Sequence, residues 1–349
     1  MSSLAKPVHR TSVDALAVGI AVATMGELLL CIPFVRKAGY QHVAIVDFRD
    51  RDIKAMLLIT LPVILGTAVN DINVLVDRNL ASRIAVGGIS ALNYAGRVSG
   101  LVKSLFVVSV TTVMYPTISK MAARGMMGGF RGALSEAISM VALFVVPATA
   151  GLLIFSREIV EFLFARGAFV PEAVSMTTSA LFFYSIGMTG DGLRYVLGRA
   201  FYSLQDTRTP VINATMAVGM NIVLNIVLSR FLGVGGLALA TSISSLFSAF
   251  LMFITLRKRI GRLGIKDIAV SFSKISIASF LMGLFARGIF TFLADSFGRN
   301  TALLVSIFVG AVVYGVLVYL MRVREVERMV QVAKERLRRV ATQEGIRGK

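Results

Sequence analysis

Nine apolar runs, each long enough to cross a hydrocarbon layer as a helix, divide this 349-residue chain. They cover roughly residues 13–35, 54–77, 88–117, 133–155, 174–203, 210–232, 235–256, 269–293 and 301–321. About 20 apolar residues are enough for a helix to cross a core of about 30 Å. The runs are continuous rather than alternating, so barrel strands are a poor reading. The pattern predicts an all-α polytopic membrane protein of about nine transmembrane helices.

The polar connections test that count. The segments after the first, third, seventh and ninth runs carry five, three, five and nine Lys/Arg, the end of the fifth run with its loop, from Arg194 to Arg208, carries three, and the other connections carry one or two each. This alternation follows the positive-inside rule. It places the heavy loops and the C-terminus in the cytoplasm and the N-terminus outside. Lys6, His9 and Arg10 lie on the wrong side for that topology. An odd number of helices starting outside suggests a chain that begins partway through a larger design.

Composition changes the picture little. The net charge of +18 would suggest nucleic acid in a soluble chain, but the basic residues sit beside membrane spans, where they set topology. One cysteine permits no internal disulfide, and two histidines with it make a His/Cys zinc site untenable. The first run lacks a small-residue exit, so it reads as a membrane helix rather than a cleaved signal. The tail from Arg322 places Val323, Val326, Val330, Ala333 and Leu337 at helical spacing among basic residues. It reads as an amphipathic helix on an anionic leaflet or as a solvated helix. The glycine-rich stretches "GGFRG" and "GVGG" follow no strand, so a nucleotide site has weak support.

Charge within a span is costly and marks a functional candidate. Ser90, Asn93, Arg97, Gly100, Ser104 and Thr111 recur at steps of three, four or seven, a single polar stripe along the third span. Two readings stand for Arg97. It faces a water-filled cavity, where its planar fork suits phosphate, or it snorkels towards the near helix end. Lys103 lies off the stripe, at the cavity edge or snorkelling. Glu27, Asp191, Arg194 and Arg199 are the other charges of interest, with Asp191 and Arg194 spaced to neutralise each other.

A second constellation is uncharged but for one carboxylate. Asn221 and Asn225 share a face at i, i+4, and Thr241 approaches them if the sixth and seventh runs fold back through "GVGG". Asn70, Asn73 and Asp77 share a face in the second run. Oxygens from several helices suit a hard monovalent cation, with Asp77 adding the negative charge. The competing reading is amides bonded between helices, with Asp77 and Arg78 capping a helix end. Pro62 and Pro147 lie within spans, as in the broken helices of transporters.

The stretch "INVLVDRNLASRIAVGGISALNYAGRVSGLVKSLFVVSVTTVMYPTISKMA", with "FLFARGAF", "RAFYSLQDTRTP" and "GGLALATSIS", resembles the MurJ (MviN) family of bacterial lipid II flippases, in the MOP/MATE-like exporter superfamily. The resemblance covers most of residues 60 to 256. It implies fourteen helices in two six-helix lobes, plus a C-terminal pair forming a lipid groove. The nine runs then correspond to helices six to fourteen. Expected regions are residues 1–53 (helix six and a loop), 54–260 (the second lobe), 261–321 (the groove pair) and 322–349 (a basic cytoplasmic tail). The family's essential arginine falls on Arg97, and Gly96 stands where members often carry an acidic residue.

The resemblance implies a carrier, not an enzyme, moving undecaprenyl-pyrophosphate-linked disaccharide-peptide across the bacterial cytoplasmic membrane. Substrate contacts are expected at Arg97, Asn93, Ser90, Ser104 and Lys103. A cation is expected at Asp77, Asn221, Asn225 and Thr241, with no cofactor beyond Na+, H+ or the membrane potential. A separately encoded N-terminal lobe is the expected partner beside the bilayer and its lipid cargo. The alternatives are another polyprenyl-linked glycan as cargo, or a non-transporting fragment or scaffold.

Overall fold

The computed structural model describes residues 8–40, 51–167, 169–261 and 263–331. Among these the regular elements are helices: α1 (Val8–Lys37), α2 (Arg51–Ile84), α3 (Gly88–Val102), α4 (Ser109–Ala123), α5 (Met127–Phe164), α6 (Pro171–Ser203), α7 (Arg208–Ile260), α8 (Ile265–Phe297) and α9 (Arg299–Leu320). A π turn, Lys103–Val108, joins α3 to α4 in one continuous helix. The side chains of Pro62 and Asn70, and those of Lys6, His9 and Arg10, lie outside the described set, as do Ala333 and Leu337.

Counting α3–α4 as one, six helices among the described residues are long and apolar enough to cross a membrane. They take up seven of the nine expected spans, because α7 runs for 53 residues and folds back at Gly233. That residue has φ 55° and ψ −132°, a conformation glycine adopts readily and other residues resist. The other two expected spans fall on α2 and α6. Asp191, Arg194 and Arg199 interrupt the apolar run of α6. The chain is a multi-pass, all-α membrane protein.

The fold divides into two units, residues 1–61 and 62–349. In the second unit α6 is central, with Leu181, Leu197 and Phe201 fully buried beside Leu237 and Leu256 of α7 and Phe130 and Leu134 of α5. Two glycines let α6 and α7 touch. A Cβ on Gly187 would lie 2.5 Å from Ser242 Cα, and one on Gly190 would lie 2.8 Å from the Leu246 backbone. At that approach Ser242 Oγ donates to the Phe183 carbonyl at 2.6 Å, an interhelical bond built on small residues.

The break expected at Pro147 lies elsewhere. Helix α5 passes through Pro147 and is interrupted at Phe155 (φ −113°, ψ 20°). Proline lacks the N–H that would bond the carbonyl four residues earlier, which orphans Leu143 O. Tyr314 Oη of α9 donates to that carbonyl at 2.6 Å, so a partner helix repairs the defect. Arg287 of α8 pairs with Glu158 at 2.5 Å and lies over the rings of Phe155 and Phe290. The last helix pair is thus fixed to α5 at both the proline and the break.

The start of the tail is also docked. Residues 324–331 are helical, Val323 is fully buried, and Val326 packs with it among Leu143, Ile275 and Val318. Arg324 pairs with Asp267 at 3.0 Å and Arg328 with Glu136 at 3.2 Å, while Glu325 is buried against Ser271. The expected apolar face, as far as Val326, packs on protein rather than on a membrane surface.

Candidate functional site

The first candidate site is one face of α3. Ala91, Leu92, Ala95 and Val98 are buried, so the opposite face must be open. Ser90, Asn93, Arg97 and Ser104 are all exposed there, and a Cβ at Gly96 or Gly100 would meet nothing within 4 Å. Ser104 Oγ donates to the Gly100 carbonyl at 2.7 Å. Arg97 has no carboxylate within ion-pair distance among the described residues. Its five N–H donors are free for an anion.

Two residues depart from expectation, Thr111 on the stripe and Lys103 off it, and the π turn explains the first. A π turn adds a residue to the ladder, which rotates everything after it by about 100°. Thr111 is therefore buried, its Oγ1 bonded to the Val107 carbonyl at 2.6 Å, and the exposed hydroxyl is that of Thr112. Lys103, expected at the cavity edge, turns to α6 instead. Its Nζ lies 2.6 Å from Asp191 Oδ2, and Arg194 Nη2 lies 2.7 Å from Asp191 Oδ1. The sequence spacing anticipated the second pair and missed the first, because Lys103 and Asp191 lie far apart along the chain.

The second candidate site is the oxygen cluster. Asn225 Nδ2 donates to Asp77 Oδ1 at 2.6 Å and to Asn221 Oδ1 at 2.8 Å, and Asn221 Nδ2 donates to Thr241 Oγ1 at 3.4 Å. Helix α2 brings Asp77, the first half of α7 both amides, and the second half Thr241. The fold-back at Gly233 closes the cluster. Asn221 and Asn225 are buried, and Asn225 Oδ1 has no hydrogen-bond partner. Asn73 Oδ1, one turn earlier on α2, is likewise buried and unpartnered. Orphaned buried acceptors are rare and call for an explanation. A carboxylate with carboxamide and hydroxyl oxygens fits a hard monovalent cation. No group of three or more His, Cys, Asp or Glu suited to a metal occurs among the described residues.

Sequence reasoning also passed over the surroundings of Arg199. Its guanidinium lies 5.4 Å from the ring centroids of both Tyr115 and Tyr195, and Nη2 donates to Tyr195 Oη at 3.1 Å. The i, i+4 spacing of Tyr195 and Arg199 was the available signal.

Comparison with known proteins identifies the family. The family model described as lipid II flippase MurJ matches residues 2–308. A probable lipid II flippase MurJ of Vibrio cholerae is 33% identical over 238 residues, covering 68% of this chain and 45% of that protein. Its counterpart in Thermotoga maritima is 29% identical over 319 residues, covering 90% of this chain and 62% of that protein. The chain thus spans about half the length of these curated relatives. A solved structure of lipid II flippase MurJ in an inward closed conformation superposes with a TM-score of 0.67 at 28% identity, over 79% of this chain and 56% of that one. Because the family model covers most of the sequence and the solved structure shares its fold, the chain belongs to the MurJ lipid II flippase family.

Proposed function

We propose that this chain carries the second lobe and groove helices of a flippase for lipid II, moving an undecaprenyl-pyrophosphate-linked disaccharide-peptide between leaflets of the bacterial cytoplasmic membrane. The observation that carries this reading is the exposed Arg97, without a carboxylate partner among the described residues, on the open polar face of α3. In the reading, its guanidinium binds pyrophosphate, and Asn93, Ser90 and Ser104 offer hydrogen bonds to the hydrated head group. Pyrophosphate is a strong acceptor, and a bidentate fork matches it in geometry and charge. Transport needs no bond to be broken, so the residues act by binding and by excluding lipid from the head group.

Alternating access requires two bodies that rock about a central site. The open face of α3 is where the other body belongs, and a separately encoded N-terminal lobe is the proposed partner. Asp77, Asn221, Asn225 and Thr241 would hold a coupling cation, which supplies positive charge to offset the Asp77 carboxylate. The basic loops support a cytoplasmic C-terminus in this reading.

The test is rescue of a bacterium depleted of its own lipid II flippase. We would express the chain alone, then with an N-terminal lobe in trans, and each again with Arg97→Ala. Rescue that disappears with Arg97→Ala is the expected result. Failure of both forms, with the protein confirmed in the membrane, would overturn the reading.

A further inference from the structure

Buried polar groups continue past the oxygen cluster. In the first half of α7, Asn213, Ala217, Asn221 and Asn225 are buried at steps of four, along one ridge of the helix. In the second half, Thr241, Ser244 and Ser248 recur at steps of three and four and so share a face. The contact between Asn221 and Thr241 sets the register of the two antiparallel halves. Asn213 stands eight residues from Asn221, and Ser248 seven from Thr241, about 12 and 10 Å at helical rise and in the same direction. They therefore lie at the same depth. The column runs from the cluster towards the basic end of α7, where Arg208, Arg257, Lys258 and Arg259 lie.

Polar atoms along this column lack partners. Asn213 Nδ2, Ser244 Oγ and Ser248 Oγ have no hydrogen bond, and neither has Asn225 Oδ1 in the cluster. All four side chains are more than nine-tenths buried. A buried helical hydroxyl commonly turns back to the carbonyl four residues earlier, as Ser185, Thr241 and Ser279 do. Ser244 and Ser248 do not. Each unmet group carries a desolvation penalty, so a succession of them calls for an explanation. Water or a passing ion satisfies such groups where several polar atoms converge. Beyond Ser248 and Asn213 come Met252 and Pro210, both buried, so apolar side chains stand between the column and the basic end.

We propose that Ser244, Ser248 and Asn213 form the route by which a monovalent cation and its water pass between the oxygen cluster and the basic end of α7, the cytoplasmic end in the proposed orientation. The proposal rests on the reading of the cluster as a cation site. The serine oxygens face the ion in turn and replace part of its hydration. Asn213 acts through its free N–H, which holds water rather than the ion. Met252, with its flexible thioether, is the group that moves aside when the route opens.

The experiment uses Ag+, a monovalent cation that bonds thiols, as the probe. The chain has one cysteine, so a Cys31→Ser background leaves each introduced thiol alone. The full chain carrying Ser244→Cys, Ser248→Cys or Ala240→Cys is placed in sealed membrane vesicles of either orientation, in chloride-free buffer. Ala240 is equally buried on the same half of α7 but off the column. Ag+ is added outside, and thiols that have not reacted are then counted with a fluorescent maleimide after denaturation. The two serine positions are expected to react when Ag+ meets the basic end of α7, and Ala240→Cys is expected not to. Sodium nitrate in place of choline nitrate should also raise the melting temperature of the same proteins. If neither serine position reacts while sodium still stabilises the protein, the route is overturned and the cation site stands. Equal reaction at all three positions, or reaction from the opposite face alone, would overturn the route as well. If Ser248→Cys reacts but sodium leaves the wild-type melting temperature unchanged, the cation-site reading fails and the route falls with it.

Discussion

Tyr314→Phe removes a single oxygen, yet its cost should depend on a residue in another helix. Pro147 gives the Leu143 carbonyl no helical donor, and Tyr314 Oη supplies one at 2.6 Å. Leaving a buried acceptor unmet costs about 1–3 kcal/mol. Hydrogen bonds between membrane helices average about 0.6 kcal/mol with a maximum near 1.7. We therefore expect about 1–2 kcal/mol, a factor of about 5–30 in the folded-to-unfolded ratio. In a Pro147→Ala background the restored backbone N–H at that position reaches the same carbonyl, so Tyr314→Phe should cost under about 0.5 kcal/mol. The assay is a double-mutant cycle, read by equilibrium unfolding of the purified chain in mixed micelles. Equal costs in the two backgrounds would show that Tyr314 serves some purpose other than repairing the proline gap.

Three further predictions follow from packing and charge. Gly187→Ala should destabilise the chain by about 1–3 kcal/mol, because its Cβ would sit 2.5 Å from Ser242 Cα, whereas Gly219→Ala, with nothing within 4 Å, should be neutral or slightly stabilising in the same unfolding assay. NaCl in place of choline chloride should raise the melting temperature of wild type but not of Asp77→Ala; no shift in wild type would count against the oxygen cluster as a cation site. In the loop before α7, partial burial pushes the Asp206 carboxyl up. Hydrogen bonds from Thr209 N and Oγ1 and the charge of Arg259 outweigh it and hold the group below the usual carboxylate range. Its stabilising contribution is present above the unfolded carboxylate value and is lost as pH falls through the lowered folded one. Asp206→Asn should therefore lower the melting temperature at about pH 6, by an amount that shrinks as the pH falls through the carboxylate range.

Much of this fold is written in local pattern. Apolar runs of helical length gave the spans, and "GVGG" gave the fold-back that closes the oxygen cluster. The i, i+4 spacing put Asn221 and Asn225 on one face. Periodicity could not say which helix a side chain would meet. Lys103 was legible as a charge off the stripe, but its partner Asp191 lies on α6. Pro147 was legible as a helix breaker, but Tyr314, four helices later, removes the need to break. Thr111 misled for a different reason: strict spacing assumes an unbroken α ladder, and the surplus residue between Lys103 and Val108 has no signature in residue type.

That surplus residue works as a fixed offset in register. Everything before Lys103 keeps one phase and everything after Val108 another, turned by about 100°. The helix that bears Arg97 thus looks outward with a different face in each half, Arg97 in the first and Thr112 rather than Thr111 in the second, with neither a hinge nor a break.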